Sequence, residues 1–419
     1  MRINKYLPFV LVYFFLNAAG LPFGLTYMAL LSPLFYLWIL LVRKKEVLLP
    51  FLTVMFLWVL MHFINGVDTR TYLISFGNIV AVYIFGQTVY TFLKKGQDIE
   101  KLFRIILVIN FFLCLISIPA YFSSFKDYFW IKQFLTEGID NFYRLKLFTY
   151  EASYYATLFI PVFFFFFMQL VLSQNTLKAV LLIPMLLLPY LLSFSLGVIS
   201  GILLAIGITY LIYFERLTRK KRVLISLAGS GAILLFVLIV ALTAFPDNPL
   251  FVRIENIFSG NDSSGRGRTS EAFVLAGKML EKKSHLWGIG LGQIKILGAP
   301  IIQNFYLYPL DYQVFAIPNA TAETLALFGW IGLIFRLTIQ FFLFFYTKVW
   351  RNYYRLLLFI FVFIYQFTGS FITNIAEYVI WILAFTEVFP QFQVHSNGKK
   401  SHKVIPVHSE SSLSTSNYE

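Results

Sequence analysis

The most reactive side chains gather in one polar stretch, from about 245 to 318, of an otherwise apolar chain. At its centre, Gly265-Arg266-Gly267-Arg268-Thr269-Ser270 follows the run Ser259-Gly260-Asn261-Asp262-Ser263-Ser264. Thr269 and Ser270 are both good helix N-caps. Ala272, Phe273, Ala276, Met279 and Leu280 then recur at helical spacing, with Lys278, Lys282 and Lys283 toward the opposite face. Two guanidiniums just ahead of a helix start can bind an anion. Free backbone N–H groups and the helix dipole favour a phosphate there, and arginine offers a planar two-pronged donor. Solvated loop arginines that meet lipid headgroups are the plainer reading of the same residues. Glu271, in the first turn, either opposes anion binding or orients one arginine.

A second candidate lies upstream, in Arg144-Leu145-Lys146-Leu147-Phe148-Thr149-Tyr150-Glu151. Glu151 opens a run that stays apolar for about 20 residues, enough to span a bilayer. A carboxylate at such an entrance is costly unless it is paired or faces a polar cavity. It could act as a general base, its pKa raised by partial burial, or it is a helix-start carboxylate favoured by the dipole and paired with Arg144. His285, beside Trp287, is a second proton carrier or a plain histidine at the end of a surface helix. Arg253 adds a cation at the start of the loop. Asn319 and Glu323 stand at the entry of the next apolar run. Glu323 lies one turn inside it and should face the protein interior, while Arg336, deeper in the same helix, snorkels or pairs. The alternate glycines of Trp287-Gly288-Ile289-Gly290-Leu291-Gly292 do not have the spacing of a nucleotide fold, and no Walker-type loop is present. Work by this chain must draw on a gradient or an activated substrate.

Composition says what must position these groups. The chain is 59% hydrophobic and 13% charged, against about 25% charged in soluble domains. Its apolar runs predict an all-α polytopic membrane protein, with spans at roughly 6–20, 24–42, 46–64, 72–93, 102–121, 153–172, 178–194, 197–214, 222–244, 319–345, 356–371 and 373–391. The run 178–214 is split by a turn at Ser193-Phe194-Ser195-Leu196-Gly197. Lys and Arg crowd alternate loops, which places both termini in the cytoplasm and the two larger loops, about 122–150 and 245–318, outside. The net charge of +14 therefore reports topology and does not point to nucleic acid. The helix after Arg268 is expected to lie at the outer membrane surface. His62, near the outer end of the third span, reads as a packed residue. Cys114 stands alone, so no intrachain disulfide or cysteine metal cluster can form. No cofactor or metal is expected, and His395, His402 and His408 fall in a tail (392–419) expected to be disordered and cytoplasmic. Residues 1–391 form a single transmembrane domain on this reading.

In order and topology the pieces resemble the O-antigen polymerase (Wzy-type) and O-antigen ligase superfamily. The likeness rests on Gly265-Arg266 or Gly267-Arg268, Trp287 to Gln293, Asn319, Gly329 and Gly332, and covers roughly 144–335 plus the twelve-span layout. Tyr150-Glu151-Ala152-Ser153-Tyr154 is similar to the Glu-Pro-Ser motif before a span in exopolysaccharide and capsule polymerases, with Ala152 in place of Pro. Ligase-type members carry a histidine just before the Asn. Pro318 stands there in this chain, which favours a polymerase.

The resemblance implies a GT-C-like architecture in the bacterial cytoplasmic membrane. It implies a donor glycan on polyprenyl diphosphate, attacked by the hydroxyl of a lipid-linked acceptor. Arg266, Arg268, Arg253 and Arg144 would stabilise charge on the departing diphosphate. Glu151, or His285 as second choice, would deprotonate or orient the acceptor, with Asn319, Glu323, Gly290 and Gly292 supporting the site. Membrane lipids, a chain-length regulator and a flippase would be its partners. A ligase with another acceptor and a lipid-linked oligosaccharide flippase are the alternatives. A flippase would have shorter loops and put its cations inside the spans.

Overall fold

Where no water reaches the backbone, each N–H and C=O must find its partner within its own segment, and long apolar runs become helices. The computed structural model describes residues 27–44, 46–95, 98–133, 142–172, 176–214, 263–307 and 316–394. The first helices are Tyr27–Arg43 (α1), Leu48–Ile64 (α2), Thr69–Lys94 (α3) and Ile99–Ala120 (α4). α3 and α4 begin on carboxylate caps: Asp68 accepts from the Thr71 N–H at 2.8 Å and Asp98 from the Lys101 N–H at 2.9 Å. A one-turn helix, Lys126–Phe129 (α5), leads into an antiparallel hairpin of Trp130–Gln133 (β1) and Phe142–Leu145 (β2), pairing Trp130 with Leu145 and Gln133 with Phe142. Then come Ala152–Leu158 (α6), Ile160–Leu172 (α7), Thr176–Ser193 (α8) and Leu196–Ile212 (α9). The polar stretch holds Ser263–Arg268 (α10), Ser270–Leu280 (α11) and Gly298–Tyr306 (α12), and the last helices are Ala320–Tyr346 (α13), Tyr353–Tyr365 (α14) and Ile375–Phe385 (α15).

The chain is thus mostly helical and of membrane-spanning character. α3, α4 and α13 are long and apolar enough to cross a membrane, and α6 with α7 would make a fourth crossing. Leu30, Leu34, Leu37 and Leu41 on α1 and Phe341, Phe342 and Phe345 on α13 are exposed. So much open apolar surface is what a bilayer covers. The expected spans at 6–20 and 222–244 lie outside the described residues, as do Arg253 and the tail from His395. Phe392, at the expected start of that tail, is buried, and the Val394 N–H donates to the Arg351 carbonyl at 2.8 Å. Ordered chain therefore runs at least to residue 394.

Several expectations change. The span at 153–172 is two helices bent by 48°, because Pro161 has no N–H to give the Thr157 carbonyl. The spans at 356–371 and 373–391 shrink to 13 and 11 residues, about 20 and 17 Å of helix against a hydrocarbon core of about 30 Å. Between them 366–374 is non-helical, since its backbone groups bond other elements: Gln366 and Phe367 carbonyls accept from Thr321 and Asn319, and the Ile372 N–H donates to Glu323 at 2.7 Å. The loop at 122–150 holds the hairpin, which docks through Trp130, Leu145 and Leu147 onto Cys114 of α4 and Tyr155 of α6. The turn at 193–196 forms as expected.

The amphipathic helix α11 forms where its spacing predicts, yet its apolar face covers protein and not lipid. Ala272, Leu275, Ala276, Met279 and Leu280 are buried in a cluster with Ala322, Leu325 and Ala326 of α13 and Ile302 of α12.

Candidate functional site

Arg266 and Arg268 lie inside the helical turn α10, not in an extended loop ahead of α11. The Thr269 N–H donates to the Arg266 carbonyl at 3.1 Å, and the Thr269 hydroxyl turns back to the Gly265 carbonyl at 2.9 Å instead of capping α11. Each guanidinium meets a carboxylate. Arg266 Nε lies 3.6 Å from Glu271 Oε1, whose other oxygen accepts from the Tyr306 hydroxyl at 3.0 Å. Glu271 thus orients an arginine. Arg268 Nη2 lies 3.5 Å from Glu151 Oε1, and both side chains are half-buried.

Glu151 reaches Arg268 because it is the extended residue before α6, with φ −147° and ψ 143°. Its carboxylate does not cap the helix. It accepts from the Ser153 hydroxyl at 2.6 Å, so one oxygen serves both Ser153 and Arg268. The hairpin feeds the chain to this position. Arg144, on β2, is buried and donates from Nε to the Ser193 carbonyl at 2.9 Å, pinning the α8–α9 turn. Such a side chain is spent on the scaffold, which removes Arg144 from the expected set of exposed diphosphate ligands.

Asn319 holds Arg268 in place. It caps α13, accepting from the Ala322 N–H at 2.8 Å and the Thr321 hydroxyl at 2.9 Å. Its Nδ2 donates to the Arg268 carbonyl at 2.8 Å and the Phe367 carbonyl at 2.6 Å. Completely buried, this amide uses both donors and both lone pairs. Asn319→Asp keeps the shape, loses both donors and sets a carboxylate against two carbonyls. We expect it to destabilise the folded protein by about 2–4 kcal/mol and to depress activity with it. Thermal unfolding in detergent checks this, and a wild-type melting profile would refute the clamp. Gly369 closes the other side: a Cβ there would sit 3.3 Å from Arg268 Nη1.

The glycine motif does unexpected work. α13 is broken at Gly329 (φ 67°, ψ −169°), so the Ala326 and Leu327 carbonyls lose the Trp330 and Ile331 N–H groups. The segment 285–290 supplies all four missing partners. Ile289 and Gly290 donate to Ala326 and Leu327 at 2.9 and 3.1 Å, and the His285 and Leu286 carbonyls accept from Trp330 and Ile331 at 3.0 and 3.3 Å. Gly290 and Gly292 let this segment press on the α2–α3 turn, where a Cβ at Gly292 would meet the Thr71 carbonyl at 2.5 Å. Gln293 bonds Asp68 and Thr71, and Lys283 caps the Asn65 and Gly66 carbonyls. His62 is fully buried between the Tyr72 hydroxyl and the Trp287 carbonyl, a packed residue as expected.

The same contacts separate His285 from the ion pair. α11 lies along α13 with Arg268 at Asn319 and His285 at Trp330, and 11 helical residues advance about 16 Å. Exposed His285 is out of reach of Glu151. Arg336 pairs, as one reading of it had it. Its Nη2 contacts Glu377, its Nε donates to Gln366 Oε1 at 3.0 Å, and its Nη1 donates to Thr324 Oγ1 at 3.3 Å. Thr324 and Arg336 would stand about 18 Å apart on a straight helix, so this contact requires the bend at Gly329. Glu323 faces inward as expected.

Glu377, Gln366 and Gly369 were not read from the sequence. Glu377 had a signal, a carboxylate near the start of the apolar run 373–391. Gln366 and Gly369 had none, because their importance lies in what folds against them. No protein-family model matches the chain, and no curated protein is significantly similar to it.

Proposed function

We propose that the chain is a membrane glycosyltransferase of the Wzy type, which joins polyprenyl-diphosphate-linked oligosaccharide repeat units into a surface polysaccharide. The observation that carries the reading is the meeting of Glu151 and Arg268, remote in sequence, at one partly exposed point clamped by Asn319. Glycosyl transfer from a diphosphate needs two things: a base for the acceptor hydroxyl and a cation for the leaving group. A sugar cannot fit in the 3.5 Å between them, so the incoming diphosphate draws the guanidinium away from the carboxylate. Glu151 then takes the acceptor proton as the acceptor oxygen bonds the anomeric carbon. The bond from that carbon to the phosphate oxygen breaks, its electron pair leaving with the diphosphate beside Arg268. Arg266, more exposed, assists as a second cation.

The finer topology belongs to the same proposal: twelve membrane segments in the bacterial cytoplasmic membrane, the short α14 and α15 among them, both termini inside and the ion pair at the outer face. The basic residues Arg43, Lys94, Lys95, Lys348 and Arg351 at the opposite helix ends support that orientation. The flippase alternative expects cations among the spans; Arg336 lies there, but it is paired with Glu377.

The test is purified protein with lipid-linked repeat units. A ladder of lengthening glycans is expected, and Glu151→Gln should slow its growth about 10²- to 10⁴-fold with folding unchanged. Transbilayer movement of unpolymerised units with no ladder would refute the proposal.

A further inference from the structure

We infer that Tyr150 is a sugar-ring platform of this site, a reading that rests on the glycan-transfer proposal. Across residues 143–172 it is the one exposed side chain, at 48%, while its neighbours on both sides are buried or half-buried. One exposed ring needs no explanation by itself, and what singles this one out is its place, next in the chain to Glu151 and against Tyr154. Its position is built. The Thr149 hydroxyl lies 2.7 Å from the Lys146 carbonyl and 2.9 Å from the Glu151 carbonyl. The Tyr150 ring rests on Tyr154, centroids 4.9 Å apart. The chain therefore presents an aromatic surface next to Glu151 and its partner Arg268.

The chemistry of the neighbours selects the occupant. Acyl chains against Tyr150 would strip water from a half-exposed carboxylate and guanidinium, which is costly. A sugar ring gives its C–H face to the aromatic and its hydroxyls to the carboxylate, leaving every polar group partnered. Stacking on Tyr150 would bring the acceptor hydroxyl to Glu151.

The experiment uses the full chain in nanodiscs and one probe, the lipid-free repeat-unit oligosaccharide released from the host's surface polysaccharide, followed by saturation-transfer NMR. Wild type, Tyr150→Phe and Tyr150→Trp should bind it alike. Tyr150→Leu and Tyr150→Ala should bind about tenfold more weakly. In the ladder assay Tyr150→Leu should raise the acceptor KM by a similar factor with kcat little changed. Two non-aromatic variants guard against one misfolding. Wild-type affinity and KM in either folded variant would overturn the platform, as would failure of the wild type to bind the probe. Glycan binding that depends on Tyr150 without any ladder would uphold the platform and refute the polymerase.

Discussion

Arg268→Ala is expected to lower glycan polymerisation about 10²- to 10³-fold while leaving the protein folded. The size follows from losing one preorganised cation aimed at a developing negative charge. The retention of fold follows from how Arg268 is attached. Its backbone carbonyl, not its guanidinium, is what Asn319 grips, and that bond survives the substitution. A partly exposed ion pair at 3.5 Å is worth at most about 1 kcal/mol, so the melting temperature should barely move. Arg268→Lys should recover only part of the rate, since a point charge cannot replace a planar fork. Arg266→Ala should cost less, because that side chain is more exposed and held by Glu271. Ladder formation and thermal unfolding on the same preparations check the pattern. Near-normal polymerisation by a folded Arg268→Ala protein would remove Arg268 from the chemistry.

Gly329→Ala should have the opposite signature, a loss of folded protein. At φ 67° and ψ −169° the residue occupies backbone space open essentially to glycine alone. An added Cβ would lie 2.2 Å from the Leu286 carbonyl oxygen and 2.6 Å from the Gly288 nitrogen. These atoms cannot retreat, for Leu286 bonds Ile331 and its neighbours bond Trp330 and Ala326. Strain and clash together should cost more than about 3 kcal/mol. Gly288→Ala should behave alike, its Cβ falling 2.5 Å from the Leu327 carbonyl. Gly207→Ala in α9, with open space around it, is the control and should be neutral or slightly stabilising. Yield of monodisperse protein and its unfolding midpoint measure the effect. A fully stable Gly329→Ala protein would mean that α13 does not need its break.

The helices were legible in the residues because their bonds are local: each N–H reaches four residues back, and apolar runs with caps such as Asp68 and Asn319 suffice to place them. The inward aim of Glu323, the packing of His62 and the division of 178–214 were legible for similar reasons. Partner choice was not. Glu151 had Arg144 seven residues away and Arg268 far downstream, and chain geometry gave the first to Ser193 and the second to Glu151. The use of the Trp-Gly-Ile-Gly-Leu-Gly run was not legible either, since it depends on a break in a helix some forty residues later. The polar stretch from 263 therefore stands as a docked part of the bundle, its arginines set by Glu151, Glu271 and Asn319. Local spacing placed the cations in the chain. Contacts between distant segments assigned each one its carboxylate, because those depend on how whole helices pack.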